Sequence, residues 1–146
     1  MSYKIEPKKI TFKKTEYEWF NYHETLREIA RLREQIETPF DEDPEDKTIV
    51  KGANSAKNPG DPTGRIVTRL TTNKQLKYLT EVADAINRVY SALPDTHKRL
   101  AKLRYWSKTK DLTWDGIARE LNISRRQAFY WRDEIVLTTI DELGWR

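Results

Sequence analysis

At 146 residues, with 37% hydrophobic and 34% charged side chains, the chain has material for one ordinary domain or two small ones, and its core must be lean. Cysteine is absent and only His23 and His97 are present, so disulfides and thiolate metal sites are excluded and no metal or nucleophile constellation can be read. No apolar run is long enough to span a bilayer, and the opening MSYKIEPKKITFKK lacks the apolar stretch of a secretory signal. The expectation is therefore an intracellular protein that uses no membrane, cofactor or metal, with both histidines in surface or capping roles.

The net charge of +4 is unevenly distributed. Residues 1–15 carry five Lys and one Glu, whereas residues 16–46 carry three Arg against eleven Asp and Glu. Within residues 98–132, ten basic side chains face three acidic ones. A local excess of that size favours a polyanionic partner.

In chain order, residues 1–40 read as a basic segment followed by an amphipathic helix. From about Glu16 to Thr38, Trp19, Tyr22, Leu26, Ile29 and Ile36 recur at three- and four-residue spacings, and Pro39 ends the pattern. Residues 41–70, with their prolines, glycines and the acidic run DEDPED, read as a flexible linker. Residues 71–93 read as a second long helix, with Leu76, Leu79, Ala83, Ile86, Tyr90 and Leu93 on one stripe. Two such stripes could pair within the chain or form a homodimer seam through residues 16–38 and 72–93. Pro94 breaks the second helix.

Residues 94–146 read as three short helices in succession. Leu100, Leu103 and Trp106 share a face of the first. The second starts at Thr113, a good N-cap, and turns Ile117 and Leu121 inward. Asn122 tolerates the left-handed backbone of a tight bend, and Ser124 with Gln127 makes a Ser-x-x-Gln capping box for the third. This is the layout of a helix-turn-helix DNA-binding domain on an all-α chain.

Turning residues by roughly 100° per position places Ala128, Trp131 and Ile135 on the inner side of the last helix. Arg126, Phe129, Tyr130 and Asp133 fall opposite, with Arg125 on the flank. Arginine can bond guanine edges and an aromatic ring can meet a thymine methyl, so these five are the candidate base-reading residues. Lys108, Lys110, Thr113, Ser124 and Arg132 are the candidate phosphate contacts, through charge, hydroxyl groups and helix starts. The partner expected is double-stranded DNA.

The block LPDTHKRLAKLRYWSKTKDLTWDGIARELNISRRQAFYWRDEIV resembles the C-terminal part of the RinA-like phage late transcriptional activators, and more broadly the fourth, DNA-binding region of sigma factors. GANSAKNPGDPTGRIVTRL resembles the stretch that precedes the second helix in RinA- and ArpU-like proteins. The likeness spans roughly residues 50–140; residues 1–14 remain unplaced. It implies activation of late genes for packaging, morphogenesis or lysis in the cytoplasm of a bacterial host, at the nucleoid, with the host RNA polymerase as a further partner. It also gives the recognition role to the helix over residues 124–136. The alternative is a DNA-packaging subunit like the small subunit of phage terminases, which would form a closed ring. An enzyme is not expected: the sequence offers no Gly-rich phosphate loop, and the DEDPED carboxylates read as a solvated run.

Overall fold

The computed structural model describes residues 7–37, 62–108 and 112–145. It is all-α, with six helices and no strand among the described residues. They are α1 (Lys9–Phe20), α2 (Tyr22–Glu37), α3 (Pro62–Ala92), α4 (Asp95–Tyr105), α5 (Trp114–Leu121) and α6 (Arg125–Leu143). The chain divides into two compact units, Met1–His23 with Glu81–Arg146, and Glu24–Thr80.

Where the periodicity predicts one N-terminal helix over Glu16–Thr38, two are found. Helix α1 starts at Lys9, within the segment whose role the sequence leaves open, and ends at a turn on Asn21. Both the backbone N–H of Asn21 (3.0 Å) and its side-chain Nδ2 (2.8 Å) donate to the Tyr17 carbonyl. A short amide that bonds nearby backbone competes with helix continuation. The break resets the helical phase. Leu26, on the stripe counted from Trp19, is 41% exposed, while Thr25, Ile29 and Leu32 form the buried face of α2. Glu24–Arg27 and Glu28–Arg31 pair along its exposed side.

Helix α3 is longer than its stripe suggests. It begins at Pro62, whose missing N–H costs nothing at a first helical position, and so runs through the last nine residues of the predicted linker. The hydroxyls of Thr68 and Thr72 donate to the carbonyls four residues back, each at 2.9 Å. The linker reading of residues 41–61 lies outside the described residues. In the second half of α3, Val82, Ala83, Ala85, Ile86 and Val89 are buried. Val82, Ile86 and Val89 join the core of the chain itself, so this part of the predicted dimer seam is already covered.

In the first unit, α1, α4 and α5 each pack on α6, and α4 packs on α5. Their shared core contains Trp19, Leu100, Ala101, Ile117, Ala128 and Ile135, all fully buried. Ala101 and Ala128 are small enough for the helix backbones to approach closely. Trp19 holds the centre. Its Nε1 donates to Thr139 Oγ1 at 3.0 Å, its carbonyl accepts from Trp106 Nε1 at 2.9 Å, and its ring stacks on Trp106 at 5.5 Å.

His97 departs from the expected surface role. It is 8% exposed, stacked on Trp131 at 4.8 Å, with Nε2 3.2 Å from Glu134 Oε2 and Nδ1 3.2 Å from Thr96 Oγ1. The first turn of α4 lies against α6, and a flat ring with two polar edges fills that space without leaving a nitrogen unpaired.

The bend between α5 and α6 follows the sequence closely. Asn122 has φ 59° and ψ 45°, the left-handed conformation, and is the non-glycine residue with positive φ among those described. The Asn122 N–H donates to the Arg119 carbonyl (3.2 Å) and the Ile123 N–H to the Ala118 carbonyl (2.9 Å), the Schellman pattern. Asn122→Gly is expected to leave stability nearly unchanged, whereas Asn122→Ile should cost about 1–2 kcal/mol in chemical denaturation, because a β-branched residue strains this backbone. Equal stability of the two variants would show that the bend has no need of the left-handed residue.

Candidate nucleic-acid interface

Two side-chain caps set the geometry of this surface. Thr113 Oγ1 accepts from the Gly116 N–H at 3.1 Å and starts α5. Ser124 Oγ accepts from the Gln127 N–H at 3.0 Å and starts α6. Each satisfies an N–H that the first turn of a helix leaves free. Residues 122–124 alone separate α5 from α6, so the two starts are placed by one rigid bend.

Helix α6 buries Ala128, Ile135, Val136, Thr139 and Ile140. Its first half turns Arg125, Arg126, Gln127 and Tyr130 to the outside. Tyr130 is 51% exposed, and its hydroxyl accepts from Arg126 Nη2 at 3.2 Å and Nε at 3.3 Å. The pair is one helical turn apart, which brings the two side chains together on one face. Arg125 leans the other way. Its Nε lies 3.8 Å from Asp115 Oδ1 and its guanidinium 5.3 Å from the Phe129 ring.

Three of the predicted contact residues sit differently from Arg126 and Tyr130. Phe129 is half-buried, with the Trp114 ring 4.7 Å away. Asp133 is half-buried too, and its Oδ1 accepts from Arg132 Nε at 2.7 Å. Arg132 itself is only 19% exposed along its side chain. Its guanidinium lies 5.1 Å from the Phe12 ring and 5.2 Å from the rings of Trp114 and Phe129, with Nη1 3.8 Å from Glu16 Oε1. At roughly 100° per residue, position 132 falls about 40° from the direction of Ala128, on the inner side. Its cation is covered there because α1, which the periodicity does not reveal, lies across α6.

Glu16 closes this cluster. One oxygen faces Arg132, and the other accepts from the Tyr105 hydroxyl at 2.7 Å. Burial, then the adjacent Glu16 carboxylate, pushes the Tyr105 hydroxyl well above the usual tyrosine pKa, so it stays protonated and keeps donating. Burial likewise raises the Glu18 carboxyl, against an opposing pull from Lys14. Arg104 lies between Phe20 (5.2 Å) and Trp114 (4.7 Å), the ring that Arg132 also approaches.

Lys108, Thr113 and Ser124 lie at the surface, while Lys110 lies outside the described residues. Arg99, Lys102 and Arg119 are exposed as well, so α4, α5 and the start of α6 present a surface rich in cations. Gln127 is the side chain that sequence reasoning left out of the contact set. It entered only as a capping partner, yet its three-residue spacing to Tyr130 already put both on one face.

This arrangement offers fixed cations, hydroxyls and an amide on a convex helix surface, suited to binding a polyanion and matching hydrogen-bond edges. Among the described residues no group of three His, Asp or Glu side chains could hold a metal ion, and no helix is long and apolar enough to cross a membrane. Neither a curated protein nor a solved structure matches the chain. The model of a family described as a protein of unknown function (DUF722) matches residues 21–139, well over half of the sequence, and the chain belongs to that family.

Proposed function

We propose that the protein is a sequence-specific DNA-binding transcriptional regulator, with α5, the bend at residues 122–124 and α6 acting as a helix-turn-helix. The first half of α6 enters the major groove in this reading. The observation that carries it is the outward pair Arg126–Tyr130, joined at 3.2 Å on the exposed face of a helix whose start is fixed by a cap and a left-handed bend. Arginine and an aromatic side chain held together in that way suit a base edge and its neighbour. Gln127, exposed beside them, adds a donor and an acceptor that match adenine.

Thr113, Ser124, Lys108 and Lys110 serve as phosphate contacts, and Arg125 flanks the base-reading group. Phe129, Arg132 and Asp133 act chiefly from beneath the surface, bracing α6 against α5. The likeness of residues 93–136 to RinA-like activators supports activation of late phage genes in the cytoplasm of a bacterial host, with its RNA polymerase as a partner. A homodimer would have to use surface other than the buried second half of α3.

Arg126→Ala is expected to weaken binding to a preferred duplex by about 1–3 kcal/mol and to relax the choice at one base position. Binding to scrambled DNA should change little. The check is selection of preferred sites from random duplexes with both proteins, followed by affinity measurement. An unaltered site preference in the variant would remove α6 from the reading role.

A further inference from the structure

We propose that the start of α1 forms a second contact with the same duplex: Lys8, Lys9 and Lys13 hold its sugar-phosphate backbone beside the groove that α6 occupies. This rests on the reading of α6 given above and adds a surface that neither the contact set nor the family match, which begins at residue 21, includes. Residues 7–15, PKKITFKKT, hold four lysines and no carboxylate. Lys8, Lys9 and Lys13 are exposed, while the Lys14 ammonium sits 4.4 Å over the Trp145 ring.

What places these lysines is the packing under them. The Phe12 N–H donates to the Lys8 carbonyl at 3.1 Å, so Lys8 and Phe12 belong to one turn. The Phe12 ring lies 5.1 Å from the Arg132 guanidinium, which lies 5.2 Å from Trp114, the first residue of α5. A single cation thus separates the first turn of α1 from the first turn of α5, where Thr113 is a proposed phosphate contact. Glu16, the next acidic residue along α1, is turned inward to Tyr105 and Arg132 and does not offset the lysines at the surface.

The chemistry selects a polymer rather than a small anion. Three separate ammonium groups spread over roughly 7 Å of helix without a pocket suit a run of phosphates, and each phosphate neutralised releases counterions. Ile10 (73% exposed) and Tyr17 (63% exposed) on the outer side of α1 make a protein the competing occupant.

The test uses the full-length protein and a mixed-sequence DNA duplex, with affinity measured across salt concentrations. Lys8→Gln, Lys9→Gln and Lys13→Gln together are expected to lower the slope of log affinity against log salt by about two to three, at roughly 0.9 for each phosphate. Affinity should fall on the order of tenfold or more, equally for preferred and scrambled sequences. The triple Lys→Arg variant should restore the slope, which separates lost charge from disturbed folding. Ile10→Ser with Tyr17→Ser should leave DNA binding unchanged. A triple Gln variant with the wild-type slope overturns the α1 contact and leaves the α6 reading standing. A loss in the Ile10/Tyr17 variant as large as in the lysine variant also overturns it. Failure of the wild-type protein to bind any duplex rejects both.

Discussion

Trp19→Ala should lower stability by about 3–5 kcal/mol, the largest loss expected from any single truncation in this chain. The side chain is fully buried and meets α4 and α6 through different atoms. Its ring lies 5.5 Å from Trp106 and 5.6 Å from Tyr105, after and at the end of α4. Its Nε1 reaches Thr139 on α6 at 3.0 Å. Removing it opens a cavity and strands the Thr139 hydroxyl, which still donates to the Ile135 carbonyl at 2.7 Å but loses its own donor. Thr139→Val isolates the polar part. It keeps the volume but leaves the indole N–H unpaired inside, at about 1–3 kcal/mol. Denaturant titration of both variants is the measurement. A loss below about 1 kcal/mol for Trp19→Ala would mean that α1 contributes little to the core.

The second large effect is expected at Arg132. Arg132→Ala should cost about 3 kcal/mol, because it leaves the Glu16 carboxylate, 14% exposed along its side chain, without its cation and frees the space between three rings. The value lies at the low end for a buried pair, since water still reaches both groups. Arg132→Lys should recover only part of the loss. A compact ammonium cannot present a flat face to Phe12, Trp114 and Phe129 at 5.1–5.2 Å. Replacing both partners, Glu16→Gln with Arg132→Met, should be milder than the sum of the single changes, as the two losses share one interaction. Additive losses in that double-mutant cycle would show that Glu16 and Arg132 act independently.

These two residues mark where local reading of the chain succeeds and where it stops. The bend at Asn122, the caps at Thr113 and Ser124 and the inward side of α5 all depend on residues within five positions of one another. Their hydrogen bonds lie where the spacing puts them. The Arg126–Tyr130 pair is of the same kind, one turn apart on one helix. Arg132 is different. Its neighbours Phe12 and Glu16 lie more than a hundred positions away, on a helix with polar buried residues such as Thr11 and Thr15 instead of an apolar stripe. Without that stripe α1 has no periodic signature, so a residue covered by it reads as free. Phe129, which the periodicity turns outward, is half-buried for the related reason that Trp114, at the start of a neighbouring helix, lies against it.

Sequence alone determined the all-helical class, the caps that start α5 and α6 with the bend between them, and the segregation of cations into residues 98–132, because each follows from local periodicity or composition. Helix α6 itself runs on to Leu143, past the end at residue 136 that the sequence predicts. Only the tertiary structure decided which cations remain outside. Arg126 stays at the surface with Tyr130, whereas Arg132, beside Asp133 and Phe129 of its own helix and Trp114 of α5, is closed over by Glu16 and the Phe12 ring that α1 brings across α6. A buried charge persists where opposite charge and aromatic faces replace its water, and here the part of that company that closes the site comes from a distant part of the chain.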